Sequence, residues 1–416
     1  MKKKILIVVL LYCFKTEAQT YNYKIADSLF KIGRYQKALK ELDKSKPNYE
    51  THYKKGVIYS SIDNYRKAIF EFEKALLFTD DYQLKIELAN LYQKNKQQKN
   101  AISIYNEILA KDSLNLVLQY KLGKLYLSLK DIDNSKKAFK KLVRKEPSNA
   151  NYWYCLGNSY ALEGDRDRKI NSFLTTFRND SLHINAIVKL AASYNSLRDR
   201  DSTQIFVKKG LAIDNNQVAL LKLKVNQFYR EKKFKQTLPY LNKLQKINTE
   251  DTYTVSMLGR VHYNLENYNE AKKYFRKLFQ IDRENYKAHT YLGHIAMREE
   301  QFSVAKLHYQ LAAVIGKEKR DEEYFGLANA FYELEKPKEA VANFKQAFSE
   351  NSKNDEALYR LATLSDAYYK DKKIAYQYYK KYLDRFSKKD TISAKFVEKR
   401  MQEIKKDLFL KGESLK

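Results

Sequence analysis

Small and aromatic residues recur among polar ones in a pattern that repeats about every 34 positions along the chain. Within one period, apolar residues three and four apart mark one face of a helix, and each period has room for two helices. The small residue of the first helix recurs at Gly56, Ala89, Gly123, Gly157, Ala191, Val225, Gly259, Gly293, Ala328 and Ala362. Three residues later most periods carry a ring, at Tyr59, Tyr92, Tyr126, Tyr160, Tyr194, Phe228, His262 and Phe331.

The second helix of most periods carries a small residue and, four residues later, an aromatic one. This spacing puts both side chains on the same helical face. We expect the small residue to let two helices approach and the ring to fill the space between hairpins. The pairs are Ala68 with Phe72, Ala101 with Tyr105, Ser135 with Phe139, Ala271 with Phe275, Ala305 with Tyr309, and Ala340 with Phe344. A period of this length predicts an array in which each hairpin packs only on its neighbours.

The pattern resembles the tetratricopeptide repeat family over roughly residues 20–388, and its best match is Trp153, Leu156, Gly157 and Tyr160. The resemblance implies an all-α fold, an α-solenoid of about eleven helix–turn–helix repeats. It also implies a right-handed superhelix whose concave groove binds peptides or other proteins. We expect the repeats to occupy residues 19–390, and residues 391–416 to form a capping helix and tail. The apolar stripe predicted for that helix, about Ile392 to Leu410, is Phe396, Met401, Ile404 and Leu408.

Two neighbouring periods depart from the pattern. Lys169 and Thr203 stand where the small residue of the second helix is expected, and residues 193–204 are mostly polar. The weaker apolar stripe predicts a shifted or looser second helix in these periods. Such a segment serves either as a flexible joint or binding notch, or it reflects ordinary drift between repeats.

Residues 1–18 have the features of a secretory signal peptide. Three lysines precede the apolar run Ile5–Phe14, which is short for a transmembrane helix. Cleavage after Ala18 would place the protein in the periplasm or cell envelope of a bacterium. Two alternatives stay open: an uncleaved anchor formed by the apolar run, or lipidation of Cys13, although the preceding Tyr12 departs from the small residue that lipidation signals favour.

The chain is strongly basic, with 79 Lys and Arg against 50 Asp and Glu, a formal net charge of +29. Such a surface attracts nucleic acid, anionic lipid or polysaccharide, and acidic proteins. The simpler interpretation is that solvated lysines cover the outer faces of the helices. If cleavage removes Cys13, only Cys155 remains and no internal disulfide can form. Next to Trp153 and Leu156, Cys155 is expected to be a small buried hydrophobe.

The sequence contains no phosphate-binding loop, dinucleotide fingerprint or nucleophile elbow. The six histidines lack the spacing of a metalloprotease site, and no cysteine pairs suit zinc. We therefore predict no catalytic residues, no cofactor, no metal and no enzymatic activity. His262 occupies a repeated ring position and is expected to pack in the core.

In the resembled family, first-helix residues three, four or eight positions apart line the groove. The residues predicted to bind peptide are Lys124, Asn158, Lys222, Asn226, Arg230, Arg260, Tyr263, Asn264, His294 and Arg298. Equivalent or adjoining places are held by Asn90, Tyr120, Tyr154 and Asn329. Arginine and lysine pair with carboxylates, asparagine bonds a peptide backbone, and tyrosine adds rigid contact area. Lys222 and Asn226 resemble half of the family's carboxylate clamp, but Arg260 replaces the asparagine of a full clamp.

These features predict a scaffold in the cell envelope that binds an acidic or extended peptide, centred on residues 222–298. One alternative is a polyanion binder that meets polysaccharide, anionic lipid or nucleic acid through its basic surface. Export argues against nucleic acid, and no nucleic-acid recognition module is apparent in the sequence. A further alternative is an accessory subunit of a secretion or assembly machine.

Overall fold

A computed structural model describes residues 20–317 and 319–415. The predicted signal peptide, including Cys13, lies outside these residues. The described chain divides into two units between Phe206 and Val207; the described residues before this point are hereafter unit 1 and those after it unit 2. None of the described helices is long and apolar enough to cross a membrane.

Helices make up the fold, and no strand occurs in the ranges described. In unit 1 they are α1 (20–31), α2 (Tyr35–Asp43), α3 (Tyr49–Ser61), α4 (Tyr65–Leu76), α5 (Tyr82–Lys94), α6 (Gln98–Lys111), α7 (Leu116–Ser128), α8 (Ile132–Lys145), α9 (Ala150–Glu163), α10 (Arg166–Asn179) and α11 (Ile184–Ser196). Helix α12 (Arg200–Ile213) contains the boundary between the units. In unit 2 they are α13 (Val218–Arg230), α14 (Phe234–Ile247), α15 (Thr252–Asn264), α16 (Tyr268–Ile281), α17 (Tyr286–Arg298), α18 (Phe302–Ile315), α19 (Asp321–Glu333), α20 (Pro337–Glu350), α21 (Asp355–Tyr368), α22 (Lys372–Phe386) and α23 (Thr391–Leu410).

The helices from α1 to α22 form eleven consecutive pairs, and α23 follows the last pair. This confirms the predicted all-α solenoid of about eleven hairpins. Asparagine or aspartate side chains begin many first helices by accepting a backbone N–H from the first turn. Asp251, for example, accepts from the Thr254 amide at 3.0 Å, and Asn285 from the Ala288 amide at 3.1 Å. These bonds satisfy amides that have no partner within the helix.

Close approach of first and second helices explains the repeated small and aromatic residues. A Cβ atom built on Gly259 would lie 2.7 Å from Cε1 of Phe275, so only glycine lets this ring seat fully. The rings of the second helices, such as Phe139 and Phe344, are almost completely buried. Cys155 is buried too, as expected, and its Sγ lies 3.8 Å from the Tyr120 hydroxyl. His262 is half-buried and stacks on Tyr274 at 5.5 Å between ring centroids.

The prediction of a shifted or looser second helix around residues 164–213 is wrong. Helices α10 and α12 are regular, and each begins 34 residues after the second helix before it, as 132, 166 and 200 show. Polar residues are tolerated there because their hydroxyls bond within the helix. The buried Ser172 donates to the Arg168 carbonyl at 2.7 Å, and Thr176 donates to the Ser172 carbonyl at 2.9 Å.

The predicted final helix lies within α23, but its buried stripe differs by one residue from the expected one. Val397, Ile404 and Leu408 are buried and Met401 packs against the same cluster, whereas Phe396 is 50% exposed. Spacings of four, three and four keep positions 397, 401, 404 and 408 on one face, and Phe396 lies beside it. Its ring reaches only the edge of Tyr359, with ring centroids 6.4 Å apart.

Candidate functional site

The first helices α13, α15, α17 and α19 bring most of the predicted binding residues together in unit 2. Side chains four or seven residues apart lie on one side of each helix, so successive first helices build one surface. We call this surface the first-helix face of unit 2. It includes Lys222, Asn226, Tyr253, Arg260, Tyr263, Asn264, Tyr291, His294, Arg298, Glu322 and Asn329, linked by the contacts described below.

Between α13 and α15, the predicted half-clamp is engaged within the chain. Lys222 Nζ lies 3.1 Å from Asp251 Oδ1 and 4.8 Å from the centre of the Tyr253 ring. The Tyr253 hydroxyl donates to Asn226 Oδ1 at 2.8 Å. Burial raises the pKa of Asp251, but hydrogen bonds from Thr254 and Lys222 outweigh it and hold that pKa below its usual value. The Lys222 ammonium group therefore already has a carboxylate partner within the chain.

Arg230 stays close to α13. Its Nε donates to the Asn226 carbonyl at 3.3 Å, one turn earlier in the same helix. The side chain thus lies at the C-terminal end of α13, where a positive charge interacts favourably with the helix dipole.

Arg260 on α15 lies against two tyrosines, Tyr229 of α13 and Tyr291 of α17. Its guanidinium carbon is 4.6 Å from the ring centre of Tyr229 and 5.9 Å from that of Tyr291. Its Nε donates to the Tyr291 hydroxyl at 3.2 Å. Asn264 donates to the Tyr229 hydroxyl at 3.2 Å and to the Arg260 carbonyl at 2.7 Å. Burial raises the pKa of Tyr291 to about 12, so the ring stays a neutral hydrogen-bonding platform beside the cation.

Between α17 and α19, His294 bridges a phenol and a carboxylate. Its Nδ1 lies 2.7 Å from the Tyr309 hydroxyl, and its Nε2 lies 3.0 Å from Glu322 Oε1. A neutral imidazole satisfies both contacts when Tyr309 donates to Nδ1 and Nε2–H donates to Glu322. The hydrogen bond from His294 lowers the pKa of Glu322. Tyr263 completes this region, with its ring 5.3 Å from Tyr291 in an edge-to-face arrangement.

An open cavity of about 490 Å³ lies where the first-helix face meets α21. Its polar lining includes Arg298 from α17, Asn329, Tyr332 and Glu333 from α19, and Arg360 from α21. Arg298 and Arg360 are exposed, and within residues 20–317 and 319–415 neither forms a salt bridge to a carboxylate. Tyr332 is 51% exposed at the same cavity. The cavity therefore offers two cations, an amide and a phenol to a molecule from outside, next to the carboxylates of Glu322 and Glu333.

The two predicted residues in unit 1 do not belong to this cluster. Lys124 on α7 is exposed, with Nζ 5.5 Å from the Tyr120 ring centre, and Asn158 on α9 is half-buried. Burial raises the pKa of Tyr120 to about 12. Tyr154, one turn before Asn158, packs on His183 at 4.8 Å between ring centroids. Asn90, on α5, accepts a hydrogen bond from the Tyr105 hydroxyl at 3.2 Å.

A second open cleft, of about 840 Å³, lies in unit 1 along α8. We call it the α8 cleft; its basic lining is Lys136, Lys137, Lys140, Lys141, Arg144 and Lys145. Lys136 is held by Glu163 at 2.6 Å and by Asp133 at 3.2 Å. The other five cations make no salt bridge within the described chain, so the cleft carries strong positive potential.

Sequence reasoning missed the partners that share the first-helix face with the predicted residues. Tyr253 lies two turns before Arg260 on the same side of α15, and Glu322 lies two turns before Asn329 on α19. Extending each predicted helix face by two turns would have found both. Arg360 could not be found in this way, because it belongs to α21 and lines the same cavity as Arg298 only through the packing of successive hairpins.

Four family models, each described as a tetratricopeptide repeat, match residues 49–81, 118–149, 254–285 and 325–369. No curated protein sequence matches the chain. Similar solved structures include yeast Tom70, with a TM-score of 0.42 and 14% identity over 96% of this chain and 99% of that one. Cut9 in its complex with Hcn1 has a TM-score of 0.45 and 13% identity over 92% of this chain and 84% of that one. Pseudomonas aeruginosa PilF has a TM-score of 0.43 and 17% identity over 51% of this chain and 97% of that one. At these values no partner or site residue can be transferred.

Proposed function

Because this chain is a tetratricopeptide-repeat protein, we propose that it is a non-enzymatic scaffold that holds an extended polypeptide on the first-helix face of unit 2. The observation that carries the proposal is the 490 Å³ cavity, where Arg298 and Arg360 have no carboxylate partner in the described residues. Lys222 and His294 already meet Asp251 and Glu322, so they are poorer candidates for binding a new anion.

The lining of the cavity favours an acidic segment in an extended conformation. Two guanidinium groups can each take a carboxylate through paired hydrogen bonds. Asn329 can bond the backbone of such a segment, and the exposed Tyr332 ring adds apolar contact area. On α13, α15 and α17, the rings of Tyr229, Tyr253 and Tyr291 extend the first-helix face beyond the cavity. They present neutral hydroxyls, and the cations that lie over these rings are Arg260 and Lys222.

The structure changes which variant tests the proposal. Arg260 was a predicted binding residue, but its removal would leave two tyrosine rings without their cation and disturb the core of the face. Arg298 and Arg360 are exposed and can be truncated with little effect on folding. The matched control is Lys338→Ala with Lys345→Ala on α20, which removes the same charge from exposed positions outside the cavity.

The experiment selects binders from a displayed library of random peptides and measures their affinity by fluorescence anisotropy. We expect acidic sequences to be enriched. Arg298→Ala with Arg360→Ala should weaken them by about 10- to 100-fold, since a charged hydrogen bond contributes roughly 1.5–3 kcal/mol when well formed and less when exposed. The α20 control should change affinity less than about threefold. Equal affinities for the two double variants would refute the site.

The α8 cleft supports a second candidate function, binding of a polyanion. Its cations are spaced along one helix and most are unpaired, an arrangement that holds a chain of anionic groups. Heparin serves as the probe. Affinity should fall steeply between low and moderate salt, and Lys137→Ala with Arg144→Ala should reduce that slope. Heparin binding that does not weaken with salt, or that is unchanged in the Lys137→Ala and Arg144→Ala variant, would argue against polyanion binding at the α8 cleft.

We also propose that the mature protein acts in the cell envelope, either alone or as an accessory subunit of a secretion or assembly machine. Support comes only from the pattern of residues 1–18, which lie outside the described structure. Intact mass measurement of the protein from envelope fractions should show a chain that begins at Gln19. A chain retaining residues 1–18, or one acylated at Cys13, would favour the alternative anchors.

A further inference from the structure

Helix α18 exposes a line of aliphatic side chains along its outer side. Val304 is 43% exposed, Leu307 53%, Leu311 38% and Val314 82%. We call these four residues the α18 stripe. The opposite side of the same helix packs fully into unit 2, through Ala305, Tyr309, Ala312 and Ala313. Since the core side is already satisfied, the stripe is surplus apolar surface on the outer side of the helix.

The order of residues in the stripe is the same in both directions. The spacings are three, four and three, and the residues are valine, leucine, leucine and valine. This is the spacing of a coiled-coil seam. An antiparallel copy related by a two-fold axis at position 309 would place Val304 on Val314 of the second copy and Leu307 on its Leu311. A two-fold interface needs such a self-complementary patch, whereas an unrelated partner does not.

Charge also singles out α18. The chain carries +29, and the neighbouring outer helix α16 exposes Lys273 and Arg276, whereas α20 exposes Lys345 together with Glu339. Two copies that met through α16 would oppose like charges. Along the α18 stripe the exposed flanking residues are Ser303 and Gln310, which are uncharged, and Lys306, the one lysine of the helix, is half-buried. Two copies that meet through α18 therefore oppose fewer like charges than two copies that meet through α16.

We propose that the α18 stripe is the seam of an antiparallel homodimer of this chain. The inference does not depend on the peptide-binding function proposed above. Four side chains are far less than the surface of a standard interface of about 1,600 Å², so the dimer is weak, with a dissociation constant on the order of 10–100 µM. The α16 cations of the two copies lie beside the seam, so salt should strengthen the dimer by screening them.

Sedimentation equilibrium of the full chain tests the proposal between about 1 and 300 µM, a range that brackets the expected constant. We expect a monomer–dimer equilibrium that shifts toward dimer as sodium chloride is added. Leu307→Lys should weaken the dimer at least about tenfold, because it buries a charge in the seam. The matched control, Leu182→Lys, makes the same change at a residue 69% exposed in a unit 1 turn and should leave the equilibrium unchanged.

A double variant tests the antiparallel register. Leu307→Lys combined with Leu311→Glu places opposite charges against each other in the antiparallel dimer and should recover association over the single variant. In a parallel dimer the same variant would oppose like charges and would not recover. A monomer throughout the range, a dimer weakened by salt, a dimer unaffected by Leu307→Lys, or failure of the double variant to recover would each overturn the proposal.

Discussion

Gly326 on α19 should be among the glycines least tolerant of an added methyl group. A Cβ built there would lie 2.4 Å from Cε1 and Cζ of Tyr309, whose ring is only 2% exposed. Gly293 on α17 borders the same ring, and a Cβ there would lie 2.8 Å from Tyr309 Cε1. To regain an ordinary contact of 3.4 Å, the ring must move by about 1 Å within a closed space.

The magnitude follows from two opposing effects. Replacing glycine by alanine inside a helix favours folding by about 1 kcal/mol. Overpacking of a closed core costs roughly 1–3 kcal/mol, and a displacement of this size lies at the upper end of that range. We therefore expect Gly326→Ala to destabilise α18 and α19 by about 1–2 kcal/mol. The Tyr309 hydroxyl would also shift away from His294, so the first-helix face should lose a support.

Hydrogen exchange measured by mass spectrometry on peptides from α18 and α19 is the assay. Local opening should become about 5- to 30-fold more frequent. Gly123→Ala is the control, because its Cβ would lie 3.0 Å from Phe139 and the ring needs to yield only a few tenths of an ångström. The packing argument is refuted if α18 and α19 are as well protected from exchange in Gly326→Ala as in the wild type. It is also refuted if Gly123→Ala increases exchange in its own helices more than Gly326→Ala does.

Two further predictions concern charged groups in unit 2. The Nδ1 atoms of His289 and His308 lie 3.0 Å apart. Burial lowers the pKa of His289 to about 4, and burial together with Arg276 lowers the pKa of His308. Because folding favours the neutral imidazoles, the stabilisation is complete above pH 6.5 and declines as the pH falls toward 4. Urea titrations across this range should show the decline, which His289→Asn should flatten; a pH-independent midpoint would contradict it. Arg400 Nε donates to the buried Asp366 at 2.6 Å and so joins α23 to α21. Arg400→Met should therefore lower the free energy of unfolding by about 1–3 kcal/mol and expose α23 to proteolysis. Unchanged resistance of α23 to protease would contradict this prediction.

The repeat and its register could be predicted because they depend on local spacing. Gly259 and Phe275 recur at the same offsets as in other periods, and the contact between them follows from those offsets. The degenerate periods form regular helices although their apolar stripe is weak, so hydrophobic spacing alone does not predict them. Ser172 and Thr176 are buried, but each hydroxyl finds a carbonyl one turn earlier, so the helix keeps its place.

The candidate site was predicted by position but not by charge. Lys222, His294 and Arg298 were placed on the correct helices, yet the sequence could not show which cations are already paired. Asp251 lies at the start of α15 and Glu322 lies on α19, and the contacts that they make with Lys222 and His294 arise only from hairpin packing. Arg298 and Arg360, which both line the cavity, have no carboxylate partner in the described residues.

Site-specific photo-crosslinking tests the central claim, that unit 2 binds a polypeptide on its first-helix face, most directly. Benzoylphenylalanine is incorporated in place of Tyr332, which lines the cavity, or in place of Lys345 on α20 as the control. Each protein is irradiated with the best peptide from the library selection. We expect a crosslinked product from position 332 that unlabelled peptide competes away, and none from position 345. Crosslinking of equal yield at both positions, or only at position 345, would contradict the account.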